Sequence, residues 1–106
     1  MIKKPRGQFD SAVLETVDEG LRILGEAVKP AIYYHLETHH KVNREEIPEE
    51  LETFHKALEG LFGFGAKPIE KLIAKKLYSK LGLSFEPHED WTLIDYVKDA
   101  KKAKGG

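Results

Sequence analysis

Two histidines four residues apart, His35 and His39, are the side chains in this sequence best spaced to bind one metal ion. On a helix, positions i and i+4 share a face, so two imidazoles can contact the same ion. The pattern resembles a zinc-protease box, but Leu36 occupies the position of the general base. Both histidines fall within the apolar stripe of Val28, Ile32 and Leu36. This placement favours neutral core or interface histidines over metal ligands.

Two Glu-x-x-His pairs, Glu37 with His40 and Glu52 with His55, have the spacing that di-iron bundles use. A helical wheel places both carboxylates far from the apolar stripe of their own helix, so we expect them to face water. The serines have no recognisable His and Asp partners, and no Gly-x-Ser-x-Gly, Walker or dinucleotide pattern occurs. We predict no catalytic residues, no metal site and no cofactor.

The composition limits the class of protein. The chain has 106 residues, 41% of them hydrophobic, which suits one domain with one core. No run approaches the roughly 20 apolar residues that span a bilayer, and the N-terminal MIKKPRGQF lacks the apolar centre of a signal peptide. The absence of cysteine excludes disulfides and thiolate metal sites. We predict a cytoplasmic protein that does not enter membranes, and the scarcity of Asn and Gln indicates a heat-adapted source.

Apolar residues recur at spacings of three and four, which predicts an all-α fold, a compact single-domain bundle of about five short helices. The helical domain should cover residues 9–100, with flexible tails at 1–8 and 101–106. Asp10 or Ser11 suits the N-cap of the first helix. Gly25 and Pro30 favour a separate second helix with Pro30 in its first turns, although one long helix kinked at Pro30 would fit the same pattern.

The second half of the chain carries clear helix boundaries. Asn43 and Glu46 have the spacing of a capping box, and Pro48 suits the first turn of a third helix. Glycine in a left-handed conformation commonly ends a helix, and a Thr or Ser three residues before an acidic residue begins one. The expected boundaries are Gly63 for the end of helix three, Ala66 and Gly82 for helix four, and Thr92 with Asp95 for the start of helix five.

Charge is unevenly distributed although the net charge is −1. Residues 37–59 contain seven Glu, whereas residues 67–80 contain five Lys against Glu70 alone. The near-neutral net charge argues against a dedicated electrostatic binder of nucleic acid. The favoured interpretation is that the acidic and basic segments are solvated helix faces that attract each other within the fold or between protomers.

Exposed aromatic residues indicate two candidate binding surfaces. Tyr33, Tyr34 and His40 surround the second helix, and we predict that they contact a protein partner, which could be a second copy in a homodimer. A second, alternative surface lies on the fourth helix, opposite its apolar stripe, where an exposed tyrosine accompanies three lysines. Its residues are Lys67, Lys71, Lys75 and Tyr78.

The Gly63-Phe64-Gly65 hinge joins two amphipathic helices. Its glycines can adopt positive φ angles and leave backbone N–H groups free to bind an anion, but an ordinary tight corner needs the same residues. The segment 61–75 resembles a helix-hairpin-helix motif through Gly63, Phe64, Gly65, Lys67, Leu72 and Ile73. The resemblance implies that the hairpin binds a DNA phosphate with help from Lys67. Ile69 and Pro68 depart from the motif's usual small residue and free N–H.

Most of the chain, about residues 10–100, resembles the small all-helical NitrOD-type archaeal output domains. The resemblance rests on LGEAVKPAIYYHLE, the connector EEIPEE and FHKALEGLFGFGAKPIEKLIAKKLYSKLGL. It implies a non-enzymatic archaeal interaction or signal-output module and supplies no catalytic residues. The nucleic-acid-binding module remains the alternative function.

Overall fold

The computed structural model describes residues 7–105, which fold into five α-helices. In chain order, α1 is Gln8–Leu24, α2 is Val28–His40, α3 is Leu51–Phe62, α4 is Ala66–Leu81 and α5 is Leu93–Ala103. No strand occurs in the described residues, and the helices share one core, which confirms the predicted all-α single domain. Residues 1–6 of the predicted N-terminal tail lie outside the described residues.

The centre of the fold is the pairing of α1 with α4. At Gly20 the two helices come so close that a Cβ atom would lie 2.6 Å from Cγ1 of Ile73. The remaining helices cover this pair and bury a continuous apolar cluster, each large side chain contributing about 1.5–3 kcal/mol. The largest fully buried apolar side chains are Phe54, Leu21, Ile32, Leu36, Ile47, Leu58, Ile73, Leu77, Leu93, Val13 and Val17.

Glycine and proline residues mark the ends of the first two helices. α1 starts one turn earlier than the expected Asp10 or Ser11 cap, with Gly7 as its N-cap, because Phe9 packs against the core and makes the extra turn favourable. Gly25 ends α1 with φ 141°, and Pro30 occupies the first turn of α2. Two separate helices are therefore present, as the preferred interpretation predicted.

The capping box of Asn43 and Glu46 is present, but it does not begin α3. The Asn43 N–H donates to Oε1 of Glu46 at 2.8 Å and caps a short 3-10 helix, Arg44–Glu49. The prediction that Pro48 lies in the first turn of the third α-helix is wrong. Pro48 lacks the N–H that an α-helical bond needs, and the tighter 3-10 turn directs Ile47 into the core.

The boundaries of α4 and of the start of α5 follow the sequence closely. α4 begins at Ala66, and Gly82 caps it in the left-handed conformation with φ 73°. The Thr92 N–H donates to Oδ2 of Asp95 at 2.9 Å, as a capping box requires. α5 continues three residues beyond the predicted end of the domain, because buried Ala100 holds its last turn and C-terminal lysines favour the helix dipole.

Candidate functional site

The residues predicted to contact a protein partner on α2 do not form one surface. The half-buried Tyr33 donates a hydrogen bond from its hydroxyl to the Asp18 carboxylate of α1. The Arg44 guanidinium binds the same carboxylate, with 3.1 Å between Nε and Oδ1. Tyr34 lies about 100° around the helix from Tyr33 and is 69% exposed, whereas His40 is half-buried. Tyr33 therefore joins α1, α2 and the connector, and Tyr34 is the most exposed of the three residues.

The Asp18 network predicts a specific loss of stability in acid. Burial alone would raise the pKa of the Asp18 carboxyl, but hydrogen bonds from Arg44 and Tyr33 and the Arg44 charge outweigh it and hold that pKa below its ordinary value. A carboxyl with a lowered folded pKa stabilises the fold above its unfolded pKa of about 4, and this stabilisation is lost as pH falls through the folded pKa.

We expect Asp18→Asn to lower the free energy of unfolding at neutral pH by on the order of 1 kcal/mol, after allowance for solvent screening. The difference from the wild-type protein should disappear in acid. Urea unfolding at a series of pH values measures it, with Glu37→Gln, an exposed carboxylate, as the control. A difference that is equal at neutral and acidic pH would contradict the assignment.

His35 and His39 do not lie in the core, so the core half of the predicted core or interface role is wrong. His39 is exposed and His35 is half-buried, with their ring centroids 4.5 Å apart. α2 packs through Ile32 and Leu36 with Tyr33 beside them, so the buried face is rotated away from the two histidines. Partial burial, together with electrostatic repulsion from the neighbouring His39 and His40, lowers the pKa of His35.

The hairpin at the α3–α4 corner is a single 3-10 turn, Gly63–Gly65. Gly63 has φ 57°, a conformation that favours glycine, and Phe64 at the tip is fully exposed. The predicted glycines and lysines do lie on neighbouring surface, because lysines at intervals of four follow one side of α4. These exposed lysines are Lys67, Lys71 and Lys75.

The predicted exposure of Tyr78 is wrong. Its side chain is 4% exposed, and its hydroxyl donates to the Tyr96 carbonyl at 3.0 Å and to the Asp99 carboxylate. Its ring meets Phe85 and Tyr96 edge to face. α5 and the segment before it cover a side of α4 that lies outside its apolar stripe, so the stripe alone did not predict this burial. Burial and the bond to Asp99 raise the pKa of Tyr78. Because its side chain is buried and its hydroxyl already donates within the fold, Tyr78 does not contribute to a phosphate-binding strip.

An apolar groove lies beside the hairpin, where the end of α1, the start of α2, the end of α3 and the start of α4 meet. It is open to solvent, has a volume of about 550 Å³ and is almost entirely apolar. We call this feature the apolar groove and define it by its lining residues. They are Leu24, Val28, Phe62, Gly65, Pro68, Ile69 and Leu72.

Most of the exposed large apolar side chains lie in the chain segments that line this groove, and two of them, Leu24 and Phe62, line it directly. Five of the six large apolar side chains that are exposed in residues 7–105 belong to the end of α1 or to the α3–α4 corner. The sixth is Tyr34. The groove is not visible in the sequence, because periodicity does not show where an apolar stripe extends beyond its covering helix. The five are Ile23, Leu24, Leu61, Phe62 and Phe64.

A buried carboxylate, Glu70 of α4, ties three helices together. One oxygen, Oε1, accepts the backbone N–H of Leu93 at 2.8 Å, and the other, Oε2, lies 2.5 Å from Nδ1 of His55. Leu93 is the first residue of α5, where the helix dipole favours a negative charge. In the sequence, His55 was considered only with Glu52 of the same helix, a pair that the helical wheel rejected, and the contact with Glu70 was missed. The available signal was a single acidic residue within a lysine-rich helix.

The surroundings of His55 favour a structural role for this pair. Its Nε2 lies 3.4 Å from Oε1 of Glu59, beside a depression of about 250 Å³ that Lys67 and Asp90 also line. Within residues 7–105, no group of three or more His, Asp or Glu side chains has an arrangement that holds a metal ion. Both oxygens of Glu70 are used between helices, so the pair fixes the packing of α3, α4 and α5.

Comparisons with known proteins support the fold alone. No family model and no curated protein matches this chain. A solved structure, described as the crystal structure of PH0832 from Pyrococcus horikoshii OT3, is similar with a TM-score of 0.77 and 24% sequence identity. The match covers 94% of this chain and 100% of that one. In the part of the chain that the structure describes, no helix has both the length and the apolar character to cross a membrane.

Proposed function

We propose that this protein is a non-enzymatic interaction module that binds a partner protein through the apolar groove. The observation that carries the proposal is the open apolar groove itself, whose lining includes the exposed Leu24 and Phe62. Outside the two chain segments that contain these residues, residues 7–105 expose only Tyr34 among large apolar side chains. Contiguous exposed apolar surface is costly in water and commonly marks a contact with another macromolecule. The groove replaces α2 as the contact surface, because Tyr33 is engaged within the fold.

Other features support an archaeal output module in the cytoplasm. The fold is shared with a protein of Pyrococcus horikoshii, and the resemblance to NitrOD-type domains implies the same kind of source. The chain contains no cysteine, which suits a reducing compartment. The prominent buried ionisable pair, His55 with Glu70, is engaged between helices and does not need a catalytic explanation.

Selection of peptides from a displayed random library tests the proposed function. We expect enriched peptides with apolar residues at helical spacing, and we expect Phe62→Ser to weaken their binding about tenfold or more, since truncation of a central apolar contact typically costs 1–2 kcal/mol or more. Tyr34→Ser, which removes an exposed aromatic residue elsewhere, is the matched control and should change affinity less than twofold. Failure to enrich any peptide, or equal loss in both variants, would refute the groove as a binding surface.

The alternative, a nucleic-acid-binding module at the Gly63–Gly65 hairpin, is less well supported by the geometry. The lysines are exposed, but a phosphate near Lys67 would also approach Glu59 and Asp90, which line the same depression. Pro68 lacks an N–H in the first turn of α4, and Tyr78 is buried. Binding to mixed-sequence duplex DNA at about 50 mM salt, weakened by Lys67→Ala and by added salt, would restore this alternative.

A further inference from the structure

The edge of the apolar groove along α4 is basic. Lys71 lies three residues after Pro68 and Lys75 lies three after Leu72, so these two lysines lie along one flank of the groove on the helix surface. We call these two lysines the α4 lysine edge. Neither of them has an ion-pair partner within residues 7–105, whereas Lys80, further along α4, is bound by carboxylates of α1.

The other edges of the groove carry no comparable excess of charge. Arg22 and Lys29 near the α1–α2 turn are accompanied by Glu26, so that side is mixed. Glu19 of α1 lies close to Lys76 but pairs with Lys80, 3.4 Å away. Glu89 lines a depression beside Lys71 but forms no ion pair with it. A molecule lying in the groove would therefore meet apolar surface below it and an excess of positive charge along one side.

A second copy of this chain is a poor occupant. Two grooves placed face to face would bring two lysine edges into one interface, and like charges disfavour such a contact. The acidic segment 37–59 could pair with the lysines, but it exposes no large apolar side chain to fill the groove. The N-terminal residues Lys3, Lys4 and Arg6 are also basic, so their charge does not complement the α4 lysine edge either.

We propose that the apolar groove binds an amphipathic helix of a different protein, with acidic residues along one flank. Leu, Ile or Phe side chains at positions i, i+3, i+4 and i+7 of this helix would fill the groove. Asp and Glu on the adjoining flank would lie against the α4 lysine edge. Apolar burial supplies the affinity, and charge complementarity sets the orientation and rejects basic helices. This inference rests on the proposed function and specifies the class of partner.

Three synthetic fluorescent peptides test the inference by fluorescence anisotropy with the full-length protein. Each is about 18 residues, or five helical turns, long. The first has leucines at helical spacing and a glutamate flank, the second replaces the glutamates with lysines, and the third replaces the leucines with serines. We expect the first to bind about tenfold or more tightly than the second, and we expect no binding of the third.

Charge reversal on the protein provides the matched control. Lys71→Glu with Lys75→Glu should weaken the acidic peptide about tenfold or more and should strengthen the lysine peptide. Lys98→Glu with Lys102→Glu makes the same change in net charge on exposed positions of α5 and should change the affinity of either peptide less than twofold. Thermal unfolding of both double variants verifies that each is folded.

The outcomes separate this inference from the proposed function. If the acidic and lysine peptides bind equally and Phe62→Ser abolishes the binding of both, the proposed acidic flank of the partner is refuted. The groove would still be a binding surface. If no peptide binds and the displayed library also yields none, both proposals fail. Sedimentation of the chain as a dimer that Phe62→Ser dissociates would instead assign the groove to a second copy.

Discussion

Replacement of Glu70 by alanine is expected to lower the free energy of unfolding by about 3 kcal/mol. The substitution removes a carboxylate that is 3% exposed, and it leaves the Leu93 N–H and His55 Nδ1 without their partner. Breaking a buried, hydrogen-bonded pair costs much more than breaking a surface pair, because the remaining polar groups stay desolvated. Urea unfolding followed by far-ultraviolet circular dichroism measures the change.

Controls for Glu70 separate the buried pair from ordinary surface charge. Glu59 also faces His55, but its side chain is 59% exposed, so Glu59→Ala should cost at most about 0.5 kcal/mol. A double-mutant cycle of Glu70→Ala with His55→Ala should give a coupling energy of about 1 kcal/mol or more. A loss below about 1 kcal/mol in Glu70→Ala would show that the carboxylate does not fix α5 against α3 and α4.

Replacement of Gly20 by alanine is expected to destabilise the fold by about 1–3 kcal/mol. Elsewhere in a helix this change is favourable, because alanine has the higher helix propensity by about 1 kcal/mol. At Gly20 the added Cβ would lie 2.6 Å from Cγ1 of Ile73, a buried branched side chain that has no open space to enter. The change must therefore push α1 away from α4 or force Ile73 from its rotamer.

Gly60 provides the control for Gly20, because it also lies inside a helix and a Cβ there would meet no atom within 4 Å. Gly60→Ala should stabilise the protein by about 0.5–1 kcal/mol. Ile73→Ala should absorb the added methyl, so its combination with Gly20→Ala should cost less than the sum of the single changes. If Gly20→Ala raised the melting temperature as Gly60→Ala does, the close approach of α1 and α4 would be refuted.

The sequence by itself determined the helices and most of their ends. Gly82, Pro30 and the Thr92–Asp95 pair act on the backbone within one helical turn, so their consequences do not depend on distant residues. The failure at the start of α3 is also informative. There, burial of Ile47 by other helices outweighed the local signal.

Only the tertiary structure decided which side of each helix is covered. An apolar stripe locates the centre of a buried face, but its width depends on the neighbouring helices. α5 therefore buried Tyr78, and the packing of α2 partly buried Tyr33 and left His39 exposed. The candidate sites likewise depend on how neighbouring helices pack. The His55–Glu70 pair joins two helices, and the apolar groove exists because four helix ends meet without covering one another.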